Sequence, residues 1–135
     1  VRQFRKPLGV VGAIIPWNFP VLIVAFKLPL ALLAGNTMVV KPAPTTPLTT
    51  LLLAEIAADI LPPGVVNIVT SSDHALGAQL STDPRVDIVS FTGSTATGKK
   101  VMAAASSTLK DVTMELVNLT GHKFNAPRVQ LNIGG

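Results

Sequence analysis

"VDIVSFTGSTATGKKVM", residues 86–102, decides the fold. It opens as a short apolar run, passes through a turn of small residues and continues as a helical pattern, the layout of a strand feeding a helix. Gly93, Gly98 and Lys99 reproduce most of the phosphate loop G-x-x-x-x-G-K-[ST], but Lys100 stands where Ser or Thr would ligate Mg²⁺. Two readings follow. Either this is a nucleotide-hydrolase loop without its metal ligand, or a different strand-turn-helix holds a nucleotide at its helix N-terminus.

Outward from this stretch the same alternation repeats. "LGVVGAII" (8–15) is a continuous apolar run, as expected of a strand buried on both faces. A helix is predicted over 19–34, stopped by Gly35-Asn36, and "TMVVK" (37–41) forms the second strand. Thr46 is a predicted N-cap with Pro47 at the first helical position. Beyond it Leu48, Leu52, Ile56 and Ile60 recur every four residues while Glu55 and Asp59 share another stripe, the pattern of an amphipathic helix. "LPPG" (61–64) stops it, and "VVNIV" (65–69) is a third strand. Asp73 caps a short helix near 74–81, "VDIVSF" (86–91) is the fourth strand, Ser94 to Ser106 the fourth helix and "DVTMEL" (111–116) the fifth strand.

Such alternation requires right-handed crossovers and a parallel sheet covered on both faces. The expected fold is a doubly wound, Rossmann-like α/β domain of about five strands over residues 1–116, with ligands at the carboxyl ends of the strands. Residues 117–135 lose the pattern and read as an irregular tail.

Composition narrows the function. Apolar residues make up 48% and charged residues 13%, which argues against disorder. The net charge is +4, but the basic residues are scattered without interleaved aromatics, so anionic phosphate suits the chain better than nucleic acid. The sequence contains no cysteine, which excludes disulfides, thiolate metal sites and a thiol nucleophile. "FPVLIVAFKLPLALLAG" (19–35) is the most membrane-like stretch, yet Lys27, Pro20 and Pro29 interrupt it, and it reads as a buried helix. No signal-peptide layout is present, and a cytoplasmic location with no membrane partner is expected. His74 and His122 have no partner at ligand spacing and read as solvent-facing; no metal site is expected. "GHKFNAP" (121–127) faintly echoes a pyridoxal-phosphate lysine motif but has no phosphate pocket or ring partner nearby.

Five stretches in this order, "GVVGAIIPWNFPV", "GNTMVVKPA", "LPPGVVNIV", "VSFTGSTATGKKVM" and "VTMEL", resemble the cofactor-binding domain of NAD(P)-dependent aldehyde dehydrogenases over residues 5–116. The resemblance implies NAD or NADP as cofactor, an aldehyde as substrate of the complete enzyme, and a homo-oligomer. It implies that Asn18 donates to the developing oxyanion and that Glu115 is the general base. Lys41 would bond the adenosine ribose, and the Thr92-Gly93-Ser94 turn would hold pyrophosphate at a helix N-terminus, where no Mg²⁺ ligand is needed. Ile15, Pro16, Trp17, Ala43, Pro44, Ser71, Phe91, Thr97 and Leu116 complete the implied cofactor site, Trp17 and Phe91 as packing residues.

Taken without the family, each residue keeps a plainer alternative. Asn18 is a turn former, Lys41 a strand-end lysine reaching solvent, Glu115 a partly exposed carboxylate, and Gly93-Ser94 a turn and cap. The sequence also departs from the family pattern. Pro44 replaces a Glu that bonds both ribose hydroxyls, Ser71-Ser72 replace a Gly beside the adenine, Val117-Asn118 replace two glycines, and the nucleophilic cysteine of a catalytic domain is absent. A truncated dinucleotide-binding or interaction module without catalysis is therefore the alternative expectation.

Overall fold

The computed structural model describes residues 6–117. In chain order the elements are β1 (Val10–Ile14), α1 (Pro20–Leu33), β2 (Thr37–Lys41), α2 (Leu48–Ile60), β3 (Val66–Ile68), α3 (Ala75–Thr82), β4 (Ile88–Ser94), α4 (Thr95–Ala105) and β5 (Asp111–Val117), with a single 3₁₀ turn (Ser106–Thr108) after α4. The tail motif 121–127 and His122 lie outside the described residues.

All five strands pair in parallel in the order β3-β2-β1-β4-β5. The chain builds outward from β1 through β2 to β3, then crosses back to lay β4 on the other side of β1. That reversal between β1 and β4 is where a doubly wound sheet opens a crevice at its carboxyl edge. Helices α1 and α2 pack against each other and against β2 and β3, while α3 and α4 pair on β1, β4 and β5. The sheet therefore separates two apolar clusters. Val11, Ala13, Ile15, Val24, Ala31, Met38 and Val40 form one, and Leu80, Val86, Val89, Phe91 and Val101 the other. Central β1 is buried at Val11, Gly12 and Ala13 in succession, as its unbroken apolar run requires.

Gly35 has φ +82° and ends α1 in the left-handed region. Asn36 then does more than stop a helix. It is buried, and its Oδ1 accepts from the amides of Leu8 (2.7 Å) and Gly9 (2.9 Å), which fixes the approach to β1.

Five sequence expectations need correction. The 19–35 stretch is not a buried helix: Val24 and Ala31 of α1 are buried, whereas Leu22, Phe26, Leu30 and Leu33 are at least half exposed. Thr46 does not cap α2; its Oγ1 donates to the Trp17 carbonyl, and Pro47 occupies the cap position without a side-chain bond. The stripe Leu48, Leu52, Ile56 and Ile60 faces away from the sheet, each residue at least half exposed, whereas Thr50 is the buried residue of α2. The fourth strand continues through Thr92, Gly93 and Ser94, which pair with Glu115, Leu116 and Val117, so the segment expected to be a turn is strand up to the first residue of α4. The short helix runs from Ala75 to Thr82 with His74, not Asp73, at its cap position; Asp73 lies one residue earlier, its Oδ1 accepting from the Ala75 amide at 2.9 Å.

Candidate functional site

A cavity of about 440 Å³ lies between α3 and α4. Its lining includes Ile14 and Lys41 from the ends of β1 and β2, Phe91 from β4, His74 at the cap of α3, Gly77 from α3, and Thr97 and Lys100 from α4. The volume falls in the range of small-molecule sites, and the place is the switch-point crevice. Lys41 is 5% exposed, so the solvent-reaching alternative is wrong. Its stem lies along α3, where a Cβ on Gly77 would sit 3.8 Å from Lys41 Cδ. Among the described residues the ammonium finds one weak acceptor, the Pro42 carbonyl at 3.3 Å, and burial lowers its pKa from the usual 10.5. Phe91 packs as expected, 3% exposed in the second cluster. Trp17 does not; it is 69% exposed.

The β4–α4 junction settles the opening comparison. A hydrolase phosphate loop needs a loop between its two glycines to wrap the phosphate. Here Gly93 lies inside β4 and Gly98 inside α4, and no loop intervenes. Gly98 serves helix-to-strand packing, because a Cβ there would meet Leu116 Cδ2 at 2.6 Å and Met114 Sδ at 3.4 Å. Gly93 makes room for an aromatic ring, since its Cβ would lie 2.6 Å from Phe91 Cζ. Ser94 is a true N-cap, its Oγ accepting from the Thr97 amide at 3.2 Å. What remains of the motif is a capped helix N-terminus aimed at the crevice, the part that attracts an anion.

The other face of the sheet holds different chemistry. Strand alternation sends Phe91 toward the α3–α4 cavity and Ser90 and Thr92 toward α1. Thr92 Oγ1 donates to Glu115 Oε2 at 3.4 Å, the two residues being register partners across β4 and β5. Met114 and Leu116 face α4, which leaves Glu115 half-buried on the α1 side. There Lys27 Nζ donates to Ser90 Oγ at 2.6 Å. Burial pushes the Lys27 ammonium down to about 8, against the opposing pull of the Glu115 charge. The sequence reading saw Lys27 only as a break in an apolar run, and nothing local marks it; its partner lies 63 residues away.

Asn18 is half-buried in the turn between β1 and α1, and its side chain makes no hydrogen bond among the described residues. The next residue, Phe19, caps α1 at φ 56°, ψ 44°, left-handed backbone that costs a non-glycine residue about 1–2 kcal/mol. Ile15 is buried and Pro16 half-buried before this turn. Ala43, Pro44 and Ser71 line a second hollow of about 240 Å³ with Pro42, Pro47, Thr70 and Ser72. Eight of the predicted residues fall into three groups. Lys41, Phe91 and Thr97 lie in the larger cavity, Ala43, Pro44 and Ser71 in the smaller, and Thr92 joins Glu115 on the far face. His74 is exposed as expected, yet it borders the larger cavity, which its sequence neighbours did not suggest. Among the described residues, no helix is long and apolar enough to cross a membrane.

Known proteins share this arrangement. The profile described as the aldehyde dehydrogenase family matches residues 1–119. Aldehyde dehydrogenase B of Escherichia coli strain K12 is 52% identical over 114 residues, 84% of this chain and 22% of that protein. The structure of an NAD-dependent aldehyde dehydrogenase from Sinorhizobium meliloti superposes with a TM-score of 0.80 at 45% identity, over 82% of this chain and 22% of that one. An NADP dependent enzyme from E. coli gives a TM-score of 0.81 at 46% identity, over 84% of this chain and 24% of that one. The chain spans less than a quarter of the length of these relatives. On its fold, its ordered motifs and these matches, the chain belongs to the aldehyde dehydrogenase family.

Proposed function

We propose that this chain is the dinucleotide-binding portion of an aldehyde dehydrogenase, taking NAD or NADP across the carboxyl edge of the sheet. The observation that carries the reading is the cavity between α3 and α4, with buried Lys41 at its floor. Its size and its cation suit the adenosine end of a dinucleotide, and the capped N-terminus of α4 suits the pyrophosphate. A bound dinucleotide supplies the hydride acceptor for oxidation of an aldehyde to a carboxylic acid. In the turn after β1, Asn18 has an amide unengaged among the described residues and available for a developing oxyanion, and on the far face Glu115 has a carboxylate to take a proton from water. The sequence contains no cysteine, so a thiol nucleophile is not among its groups. That absence favours a second reading, a dinucleotide-binding or interaction module without turnover of its own.

Calorimetric titration of the chain with NAD, NADP and Mg-ATP tests the proposal, beside an Ala78→Phe variant. Ala78 is exposed on α3 and lines the cavity, so the larger ring fills the space without entering the core. Dinucleotide binding to the parent and its loss in the variant are expected, with no reduced nicotinamide formed from acetaldehyde by either protein. Binding of Mg-ATP alone, or dinucleotide binding indifferent to Ala78→Phe, would overturn the reading.

A further inference from the structure

The proposed chemistry leaves one amine unused. Lys27 reaches from α1 to the face of the sheet that also carries Glu115, and its Nζ donates to Ser90 Oγ at 2.6 Å. Ser90 and Thr92 stand two residues apart on β4 and so share this face. Thr92 Oγ1 donates to Glu115 Oε2 at 3.4 Å, its register partner on β5. An amine, two hydroxyls and a carboxylate therefore follow one another along a single face. Lys27 and Glu115 are half-buried, whereas Ser90 and Thr92 are buried.

The other lysines sit differently. Lys99 and Lys100 are exposed on α4, and Lys41 lines the α3–α4 cavity, where burial alone lowers its pKa. At Lys27 burial brings the ammonium down to about 8 while the Glu115 charge opposes the change, so the carboxylate is close enough to act on it. Between the two, β4 presents the hydroxyls of Ser90 and Thr92 and no charge. At neutral pH the neutral fraction of such an amine is about a few hundredfold that of an ordinary lysine. A neutral amine attacks carbonyl carbon, and desolvation is one of the ways a lysine is prepared for that role. Leu30, one turn further along α1 and exposed, gives the approach an apolar flank.

We propose that Lys27 is a covalent capture site for aliphatic aldehydes, forming an imine with Glu115 as the proton carrier. The nitrogen lone pair attacks the aldehyde carbon, a C–N bond forms, and the carbonyl π pair moves onto oxygen. One nitrogen proton passes by way of the Glu115 carboxylate to that oxygen, giving a carbinolamine. A proton from Glu115 then lets the hydroxyl leave as water while the C–N double bond forms, and the remaining nitrogen proton returns to Glu115. Amine and aldehyde give imine and water, with no oxidant or reductant consumed. The site goes beyond the dinucleotide reading and does not depend on it, because no step uses a nicotinamide.

Timed exposure of the folded chain to butanal, ended with borohydride and followed by peptide mapping in a mass spectrometer, tests it. Lys27 should be butylated at least about tenfold faster than Lys99 and Lys100 at neutral pH, with its half-rate pH near 8. In urea-unfolded chain that advantage should vanish. Glu115→Gln should slow the plateau rate at Lys27 severalfold and move its half-rate pH downward, leaving Lys99 and Lys100 unchanged. Labelling of Lys27 no faster than of the exposed lysines, in a chain shown by circular dichroism to be folded, refutes the capture site. So does an advantage that survives in urea. A plateau rate unaltered in Glu115→Gln refutes the carboxylate as proton carrier. None of these results bears on dinucleotide binding, which the calorimetric titration decides separately.

Discussion

Replacing Gly93 by alanine should destabilise the domain, for a reason the sequence motif does not contain. The added Cβ would sit 2.6 Å from Phe91 Cζ and 3.3 Å from each Cε. Carbon atoms in good contact lie about 3.5–4.0 Å apart, so the overlap is close to 1 Å. Phe91 is 3% exposed and packs with Leu80, Val86, Val89 and Val101, so displacing its ring disturbs that cluster. Forcing one methyl into such packing costs about 1–3 kcal/mol. Alanine recovers roughly 0.5–1 kcal/mol of that by having less backbone freedom to lose in a strand. The net loss is on the order of 1–2 kcal/mol, a fall of about 4–8 °C in Tm for a chain of this size. Urea unfolding followed by far-ultraviolet circular dichroism measures it; emission is a poor probe because Trp17 is largely exposed. The double variant Gly93→Ala with Phe91→Leu, whose shorter side chain vacates the overlap, should lose about 1 kcal/mol less than the sum of the single losses. Additive losses, or Gly93→Ala within about 0.5 kcal/mol of the parent, would refute ring clearance as the reason for the glycine.

The buried Lys27 makes stability depend on alkaline pH. With its pKa lowered from 10.5 to about 8 in the fold, the unfolded chain binds more protons between those values, so stability should rise with pH across that window. Lys27→Met should reduce that slope, leaving the smaller contributions of Lys41 and Lys110, and an unchanged slope in urea titrations would count against the buried amine. The outward apolar faces of α1 and α2 (Leu22, Phe26, Leu30, Leu52 and Ile56 among them) should make the isolated chain self-associate. Sedimentation should show mass rising with concentration and a shift toward monomer in Leu52→Lys, Ile56→Lys; a monodisperse parent monomer would contradict this.

The architecture was legible because parallel strands buried on both faces must be written as unbroken apolar runs, and "VVGAI" and "TMVVK" are such runs. Features set by distant partners were not. Thr92-Gly93-Ser94 has the composition of a turn, but pairing with β5 keeps it extended. Thr46 has the chemistry of a cap, but the Trp17 carbonyl lies within its reach. Lys27 looked like an interruption until folding brought Ser90 to it. The four-residue stripe on α2 is apolar as read, but it points away from the sheet. Leu51, Leu53, Ala54 and Ala57 are half-buried on the inward side, so α2 is apolar on both sides. In such a helix, periodicity marks apolar surface without saying which surface the sheet takes. The site residues carried by family resemblance could be placed; His74 and Lys100 at the cavity rim could not, because their joint position depends on how α3 and α4 pair.

β4 shows why one strand can serve both halves of the proposed chemistry. Its alternate residues point to opposite faces, Phe91 and Gly93 to the α3–α4 cavity, Ser90 and Thr92 to the side of Lys27 and Glu115. Through the sheet the two sides are insulated by Val89, Ala13 and Val40, all at 0% exposure. A ligand therefore cannot pass through the sheet, and the two sides meet over the carboxyl edge, where β1 ends at Ile14 and β4 ends at Ser94. A compact mononucleotide would occupy one face only. The dinucleotide proposed above, with two nucleoside ends joined by a pyrophosphate, could span this edge. The separation of a lysine-lined pocket from a carboxylate by one sheet thus suits the long, two-ended ligand proposed above.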